Sequence, residues 1–239
     1  MRKIAISFFK GGAAKSSSAI ELSSSLSKLG AEVLLVDTDL DGQIAKLLKL
    51  NPRHSLTHIL KGLIGPQEAI THTKWGFDVI GSDRDLIKVD AVTEKRSRLR
   101  NALSPIKGYD HVIFDTSPNY GMMSANVLDY ADTMIVPVEL SPASRDRLAN
   151  IYNELDEARI TNPKLFIRGI LPVKYRRRES SQQAHYEQLK RDFKDVFEPI
   201  PFSCVIEQAQ CAGMPVTIKY PNHPISQAYI LLAKQIKED

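Results

Sequence analysis

The sequence predicts an α/β fold, with a mostly parallel twisted sheet and helices on both faces. Short apolar runs rich in β-branched and aromatic residues alternate with stretches of helical periodicity, which is typical of βαβ units. The runs lack strict polar alternation, which indicates strands that are buried on both faces. The 239 residues are 43% hydrophobic and 25% charged, an ordinary globular composition, so we expect residues 1–239 to form a single domain.

The elements follow in order along the chain. Six apolar runs are predicted strands: residues 4–9, 33–36, 77–80, 112–114, 134–138 and 166–173. Leucines and alanines at helical spacing predict a helix between the first two strands, with Gly30 just past its end. A second helix is predicted over residues 142–158, and residues 51–73, the least regular stretch, are expected to form a peripheral lobe.

Composition excludes several classes of protein. The net charge of +4, from 32 Lys and Arg against 28 Asp and Glu, does not indicate a strongly basic nucleic-acid protein, although a local patch is compatible with it. Two cysteines and six histidines without metal-site spacing argue against a disulfide scaffold or a zinc site; we expect both thiols, Cys204 and Cys211, to be buried. No apolar run approaches the roughly 18 residues of a membrane span, so we expect a cytoplasmic protein.

A glycine-rich turn, with the sequence KGGAAKSS over residues 10–17, lies between the first predicted strand and the helix. Such a turn directs backbone N–H groups at a phosphate, Lys15 would reach the β- and γ-phosphates, and Ser16 would bind Mg²⁺. The pattern G-x-x-x-x-G-K-[ST] is not met, because Phe9 and Ala14 occupy its two glycine positions. The turn alone is therefore also compatible with a Gly-Gly turn before a lysine-capped helix.

Carboxylates follow two of the predicted strands. Asp37 and Asp39 end the second strand, and Asp115 ends the run at residues 112–114. The carboxyl ends of parallel strands face the crevice where α/β proteins bind ligands, and Asp115 is placed to bind Mg²⁺ through water. For the pair at 37 and 39, a solvated turn is the alternative interpretation.

These segments together resemble the ParA/MinD ATPases, which carry a deviant Walker A box. The turn resembles KGGxGK[ST][ST], residues 37–42 resemble DxDPQG, and residues 109–118 resemble YDxhhhDxxP followed by a small-residue helix at 119–128. Residues 169–178 and 211–229 resemble later segments of the family. The resemblance covers nearly the whole chain and is weakest over 51–73.

The resemblance implies roles for individual residues. Lys10 would be the signature lysine, which reaches the partner's nucleotide in an ATP-sandwich homodimer, and Asp39 would orient or activate the attacking water. The implied catalytic residues are Lys10, Lys15 and Asp39, and the implied metal residues are Ser16, Asp37 and Asp115. The implied ATP-binding residues are Lys10, Gly11, Gly12, Ala13, Ala14, Lys15, Ser16, Ser17, Pro201 and Phe202.

Two departures from the family pattern bear on turnover. Ala14 replaces a family glycine, and Leu40 with Asp41 replaces Pro-Gln. If position 14 needs a positive φ, alanine costs on the order of 1 kcal/mol there. An ATP-binding dimerisation switch with very weak hydrolysis is therefore the alternative to an ATPase that turns over.

A basic segment spans residues 174–194. It contains seven basic residues and three acidic ones, so its net charge of +4 equals that of the whole chain. A solvated face is the interpretation from composition alone. Given the resemblance, we expect non-specific binding of nucleoid DNA through the basic residues, which are Lys174, Arg176, Arg177, Arg178, Lys190, Arg191 and Lys194.

The resemblance implies a ParA-like ATPase that segregates or positions a plasmid, a chromosome or a carboxysome-like organelle. It further implies the cofactors ATP and Mg²⁺, a ParB-like adaptor that stimulates hydrolysis, and a cytoplasmic, nucleoid-associated location. A MinD-like membrane ATPase is the less favoured alternative, because the tail at 228–239 ends in Lys-Glu-Asp rather than as a basic amphipathic helix.

Overall fold

The computed structural model describes residues 1–8, 10–93, 96–118, 121–149 and 151–238, without the side chains of 145, 146 and 149. Its centre is one seven-stranded sheet in the order β3-β4-β2-β5-β1-β6-β7. Neighbouring strands are parallel except β3 and β4. The strands are β1 (Arg2–Ile6), β2 (Val33–Asp37), β3 (Thr71–His72), β4 (Asp78–Ile80), β5 (His111–Asp115), β6 (Thr133–Glu139) and β7 (Phe166–Val173). The predicted fold class is confirmed.

Helices cover both faces of the sheet. They are α1 (Lys15–Lys28), α2 (Gln43–Leu47), α3 (Leu56–Leu60), α4 (Leu86–Ala91), α5 (Arg98–Leu103), α6 (Met122–Tyr130), α7 (Pro142–Ala149), α8 (Ile151–Arg159), α9 (Ser180–Asp192), α10 (Val205–Cys211), α11 (Val216–Lys219) and α12 (Pro224–Lys237), with one 3₁₀ turn at Pro66–Ala69. Among the described helices, none is long and apolar enough to cross a bilayer.

Alternating side chains of the central strands divide the core into two layers. On β2, Leu34 and Val36 pack into the layer beneath α3 to α8, whereas Val33 and Leu35 pack into the layer beneath α1, α2 and α12. All four side chains are buried. Because a strand presents successive residues to opposite faces, an uninterrupted apolar run is what a doubly covered sheet requires.

The helix α1 ends as its sequence predicts. Gly30 takes φ +82°, and its N–H donates to the Ser27 carbonyl at 2.9 Å, while the Ala31 N–H donates to the Leu26 carbonyl at 3.1 Å. This is the glycine-terminated helix end in which orphan carbonyls are satisfied by the two residues that follow.

Two sequence predictions change. Residues 51–73 do not form a peripheral lobe: α3 packs into the core with Leu56 fully buried, and β3 joins the sheet as an antiparallel edge strand. The helix predicted over 142–158 corresponds to α7 and α8, which lie on either side of residue 150, outside the described residues. The first strand ends at Ile6, and the predicted end at Phe9 lies outside the described residues.

Candidate functional site

Sheet order brings the chemically active strand ends together. The central strand β5 lies between β2 and β1, and its last residue, Asp115, is the register partner of both Asp37 and Ile6. Neighbouring strands are about 4.8 Å apart, so the carboxylates of Asp115 and Asp37 lie side by side at the carboxyl ends of these strands. The turn that follows β1 starts beside them, as the sequence predicts for this edge.

The phosphate loop, residues 10–17, uses left-handed backbone at two positions. Gly12 has φ +76° and Ala14, the residue before α1, has φ +55°. Alternating backbone hand and a helix N-terminus together turn N–H groups into an anion-binding concavity. Ala14 therefore does adopt a positive φ, and this conformation costs about 1 kcal/mol more for alanine than for glycine.

Lys15 is buried beneath this loop. Its Nζ donates to the carbonyl of Lys10 at 3.1 Å, and only 7% of the residue is exposed. Burial lowers the pKa of the Lys15 ammonium, and the nearby carboxylates of Asp115 and Asp39 partly offset that shift. A desolvated cation at a helix N-terminus suits an anionic ligand better than it suits water.

Asp115 carries a buried carboxylate with unused acceptors. It is fully buried, and neither oxygen has a hydrogen-bond partner within 3.5 Å among the described residues. Burial raises the pKa of Asp115 well above its usual value, with a further increase from Asp37, while the nearby Ser16 hydroxyl acts in the opposite direction. Orphaned anionic oxygens beside a serine hydroxyl fit a hydrated Mg²⁺, which binds through few protein ligands and keeps several waters.

Asp37 differs from Asp115 in that its oxygens are already used. They accept the N–H groups of Asp39 at 3.0 Å and Ile44 at 2.9 Å, which ties the turn after β2 to the start of α2. Burial is also the main cause that raises the pKa of Asp37. Asp37 therefore holds the backbone of this turn in place, and it lies beside Asp115 at the predicted metal site.

Asp39 lies two residues further into the same turn. Its Oδ1 accepts the N–H of Asp41 at 2.9 Å, and its carbonyl accepts the Ser82 hydroxyl at 2.5 Å. Asp39 is buried and close enough to Lys15 for their charges to interact, whereas Asp41 is exposed. Ser82, two residues after β4, is a supporting residue for which the sequence offers no signal.

Lys10 forms a hydrogen bond with a residue of its own chain that the sequence patterns did not predict. Its Nζ donates to the Ser144 hydroxyl at 2.8 Å, and Ser144 in turn lies 3.0 Å from the Ser141 hydroxyl. Ser144 is buried in the first turn of α7. The Lys10 ammonium is therefore held within its own chain by the first turn of α7.

The C-terminal half also reaches the loop. Gln210 of α10 donates to the Ser17 hydroxyl at 2.9 Å. Pro201 forms an isolated β-bridge with Tyr175, next to β7, and the Arg176 guanidinium lies 4.3 Å from the centre of the half-exposed Phe202 ring. Pro201 and Phe202 therefore pack against residues 175–176. The prediction that both cysteines are buried is wrong, because Cys204 and Cys211 are exposed around α10.

Most of the basic segment is exposed. Lys190 pairs with Glu187 at 2.8 Å and Arg176 with Glu179 at 3.4 Å. Among the described residues, no acidic partner contacts the four remaining exposed basic side chains, which are Arg177, Arg178, Arg191 and Lys194. Lys174 does not join them, because its Nζ donates to the carbonyl of Gly12 at 2.9 Å in the phosphate loop.

Comparison with known proteins agrees with this geometry. The family described as AAA domain matches residues 1–167. The chain is 31% identical over 240 residues to the chromosome-partitioning ATPase Soj of Thermus thermophilus, covering 99% of this chain and 95% of Soj. It is also 31% identical over 250 residues to the chromosome partitioning protein ParA of Caulobacter vibrioides, covering 99% and 94%.

Among solved structures, a variant of Cyanothece McdA in complex with ATP superposes with a TM-score of 0.86 at 20% identity, over 99% of this chain and 96% of McdA. At that identity the match supports the fold alone. The sequence relatives carry the assignment, because they match over almost their whole length. The chain belongs to the AAA-domain family that matches its residues 1–167 and, within it, to the ParA/MinD type of P-loop ATPase.

Proposed function

We propose that this protein is a ParA-type ATPase that binds ATP and Mg²⁺, forms an ATP-sandwich homodimer and binds DNA without sequence preference. An adaptor protein of the ParB kind would stimulate hydrolysis and release the dimer, and repeated cycles would segregate or position a cargo: a plasmid, a chromosome or a carboxysome-like organelle. The observation that carries the proposal is the convergence of Lys15, Asp39 and Asp115 beneath a phosphate loop that begins with Lys10.

Binding of the nucleotide is assigned to the phosphate loop. N–H groups of residues 11–16 would surround the phosphates, and Lys15 would exchange its bond to the Lys10 carbonyl for phosphate oxygens. Ser16 and Asp115 would hold the hydrated metal. When bound, Mg²⁺ would supply positive charge that offsets the charge of the phosphates. On this assignment, the unpaired oxygens of Asp115 gain partners only when the site is filled.

Hydrolysis requires a positioned water and neutralisation of the transferred charge. Asp39 is assigned to orient the water, since its side chain is held by the Asp41 N–H near the loop. Lys10 is assigned to the partner's nucleotide, where a cation supplied in trans couples chemistry to assembly. To reach it, the Lys10 ammonium must leave the Ser144 hydroxyl.

Binding of DNA is assigned to the exposed part of the basic segment, residues 176–178 and 190–194. Exposed guanidinium and ammonium groups on a loop and one helix contact phosphates and read no base edges. We therefore propose nucleoid association in the cytoplasm. The apolar face of α12 is buried in the core, which supports DNA over a membrane as the surface that is bound.

The test compares Lys10→Ala with the parent and with Lys164→Ala. Lys164 is an exposed lysine before β7, at the amino ends of the strands and away from the phosphate loop. Light scattering with ATP and Mg²⁺ should detect dimers of the parent and of Lys164→Ala but only monomers of Lys10→Ala. ATP hydrolysis with DNA should follow the same order. If Lys10→Ala dimerises as well as the parent, the trans role of Lys10 is wrong.

The second candidate function is a dimerisation switch with very weak hydrolysis. The left-handed backbone of Ala14 is the observation that favours it, because a strained residue inside the phosphate loop opposes tight adjustment around the transferred phosphate. Production of ADP compared with the lifetime of the ATP dimer separates the two functions. A dimer that survives many hours without forming ADP would support the switch.

A further inference from the structure

We propose that Lys174 is a positioning residue of the phosphate loop and not a DNA contact. The proposal rests on the proposed function, since it assigns a further residue to the same nucleotide site. Its basis is the position of one ammonium group, which lies on the loop carbonyl of Gly12 although the residue belongs to the basic segment.

The contacts of the Lys174 ammonium point inward. Nζ donates to the Gly12 carbonyl at 2.9 Å and lies 3.5 Å from Oε2 of Glu139, at the end of β6. Both side chains of that ion pair are about 40% exposed (41% and 42%). An exposed pair at that distance contributes little, so the hydrogen bond to the loop is the contact that gives Lys174 its position.

The backbone of Lys174 is also unusual. It has φ +55°, a left-handed conformation that lysine rarely adopts. The residues on either side are fixed: Val173 is the register partner of Glu139, and Tyr175 bridges Pro201 while its N–H donates to the Ile200 carbonyl at 3.0 Å. Strained residues persist where their surroundings hold them on both sides, and they concentrate at functional sites.

The bond to Gly12 controls the direction of one N–H group. Gly12 has no side chain and has φ +76°, so its peptide rotates more easily than those of its neighbours. In a trans peptide the carbonyl of Gly12 and the N–H of Ala13 point in opposite directions. Holding that carbonyl against the Lys174 ammonium therefore holds the Ala13 N–H facing away from Lys174, so it fixes one donor of the phosphate loop.

This arrangement separates two measurable quantities. As a positioning residue, Lys174 affects the binding of nucleotide when no DNA is present. As a DNA contact, it would leave nucleotide binding unchanged and would reduce the dependence of DNA affinity on salt by about one unit of slope. Both readouts are available in the full chain.

The experiment compares Lys174→Met, which keeps the length and removes the charge, with Lys174→Arg, which keeps a charged donor. The matched control is Lys164→Met, at the amino ends of the strands. Affinity for a fluorescent ATP analogue with Mg²⁺, the KM and kcat of hydrolysis, the salt slope of DNA binding, and the Ala13 amide resonance are measured for each variant.

We expect Lys174→Met to bind the ATP analogue roughly tenfold more weakly and to raise the KM for ATP by a similar factor. This is the effect expected for the loss of one charge-assisted hydrogen bond. The kcat, the melting temperature and the salt slope should stay near those of the parent. Lys174→Arg should recover most of the affinity. The Ala13 amide resonance should shift in Lys174→Met and not in Lys164→Met.

The opposite results overturn the proposal. Unchanged nucleotide affinity in Lys174→Met, with or without a reduced salt slope, shows that the ammonium does not position the loop. A loss that Lys174→Arg does not recover and that follows a lower melting temperature shows a general structural role. If the parent itself binds no ATP analogue, the proposed function fails and this inference fails with it; if the parent binds and Lys174→Met binds equally, only the inference fails.

Discussion

The phosphate-loop region and the basic segment both concentrate charge, and they do so in opposite environments. At the phosphate loop, the charges of Lys15, Asp37 and Asp115 are buried, and burial shifts the pKa of each away from its usual value. In the basic segment, residues 176–178 and 190–194 are exposed except Phe193. Buried charges interact strongly and cost stability, whereas exposed charges are screened within roughly 10 Å at 0.1 M salt. The first region should therefore control stability, pH dependence and catalysis, and the second should control association that depends on salt.

The largest expected effect is that of Asp115→Asn. Loss of the metal-supporting carboxylate should reduce ATP hydrolysis by at least about 100-fold, the range for removing one group that stabilises transferred charge. The ATP-free protein should become more stable, because burial beside Asp37 raises the pKa of both acids in the parent.

The sign of the accompanying pH effect follows from the raised pKa values. The folded parent binds more protons than the unfolded chain, so its free energy of unfolding falls as pH rises from about 4 towards the raised pKa. At pH 8 we therefore expect Asp115→Asn to be more stable than the parent in urea unfolding. Equal or lower stability of Asp115→Asn without nucleotide would contradict a costly buried charge at this site.

The second effect concerns Glu21, a buried acid of α1 that the proposed mechanism does not use. Its oxygens accept the N–H groups of Val216 at 2.7 Å and Thr217 at 3.1 Å, and burial raises its pKa from 4.5 to about 7. Since the folded form retains the proton, stability is greatest below pH 4.5 and is lost as pH rises through 7.

We therefore expect the stability of the parent relative to Glu21→Gln to fall by on the order of 3 kcal/mol between pH 5 and pH 8. Chemical unfolding at several pH values measures it. Because Glu21→Gln leaves Asp37 and Asp115 in place, the difference between the two proteins isolates Glu21. A difference that does not vary with pH would show that Glu21 titrates normally.

The third effect tests the exposed side of the comparison. Arg177→Ala with Arg178→Ala should weaken DNA binding by about tenfold and reduce the salt slope by about two, with nucleotide affinity unchanged. The control is Lys107→Ala with Lys164→Ala. It removes the same charge from two exposed positions that precede β5 and β7, at the amino ends of the strands. Equal losses in both double variants would mean that net charge, and not the basic segment, binds DNA.

The smallest effect is that of Ala14→Gly. Glycine relieves the left-handed strain at φ +55° but adds backbone entropy to the unfolded chain, so the free energy of unfolding should rise by no more than about 1 kcal/mol. Hydrolysis should increase if strain in the loop limits turnover. An increase in stability with no change in turnover would leave the second departure, at Asp41, as the remaining explanation for slow hydrolysis.

Local sequence patterns predicted much of the architecture. The run at residues 166–173 matches β7 residue for residue, and Gly30 ends α1 where its φ requires a glycine. Such features depend on a few neighbouring residues, so period and composition suffice to find them. The two-residue strand β3 was missed, because an edge strand that short is stabilised by its pairing with β4 rather than by its own composition.

Taken by itself, the sequence determined the fold class, the strand ends that carry carboxylates and the residues of the phosphate loop. Only the tertiary structure decided which distant side chains meet them: Ser144 lies against Lys10 across 134 positions, and Lys174 against Gly12 across 162. The reason is the strand order β5-β1-β6-β7, which places the loops after β6 and β7 beside the phosphate loop. Strand order is set by packing over the whole chain, so no local pattern records that Lys174 leaves the basic segment and joins the phosphate loop.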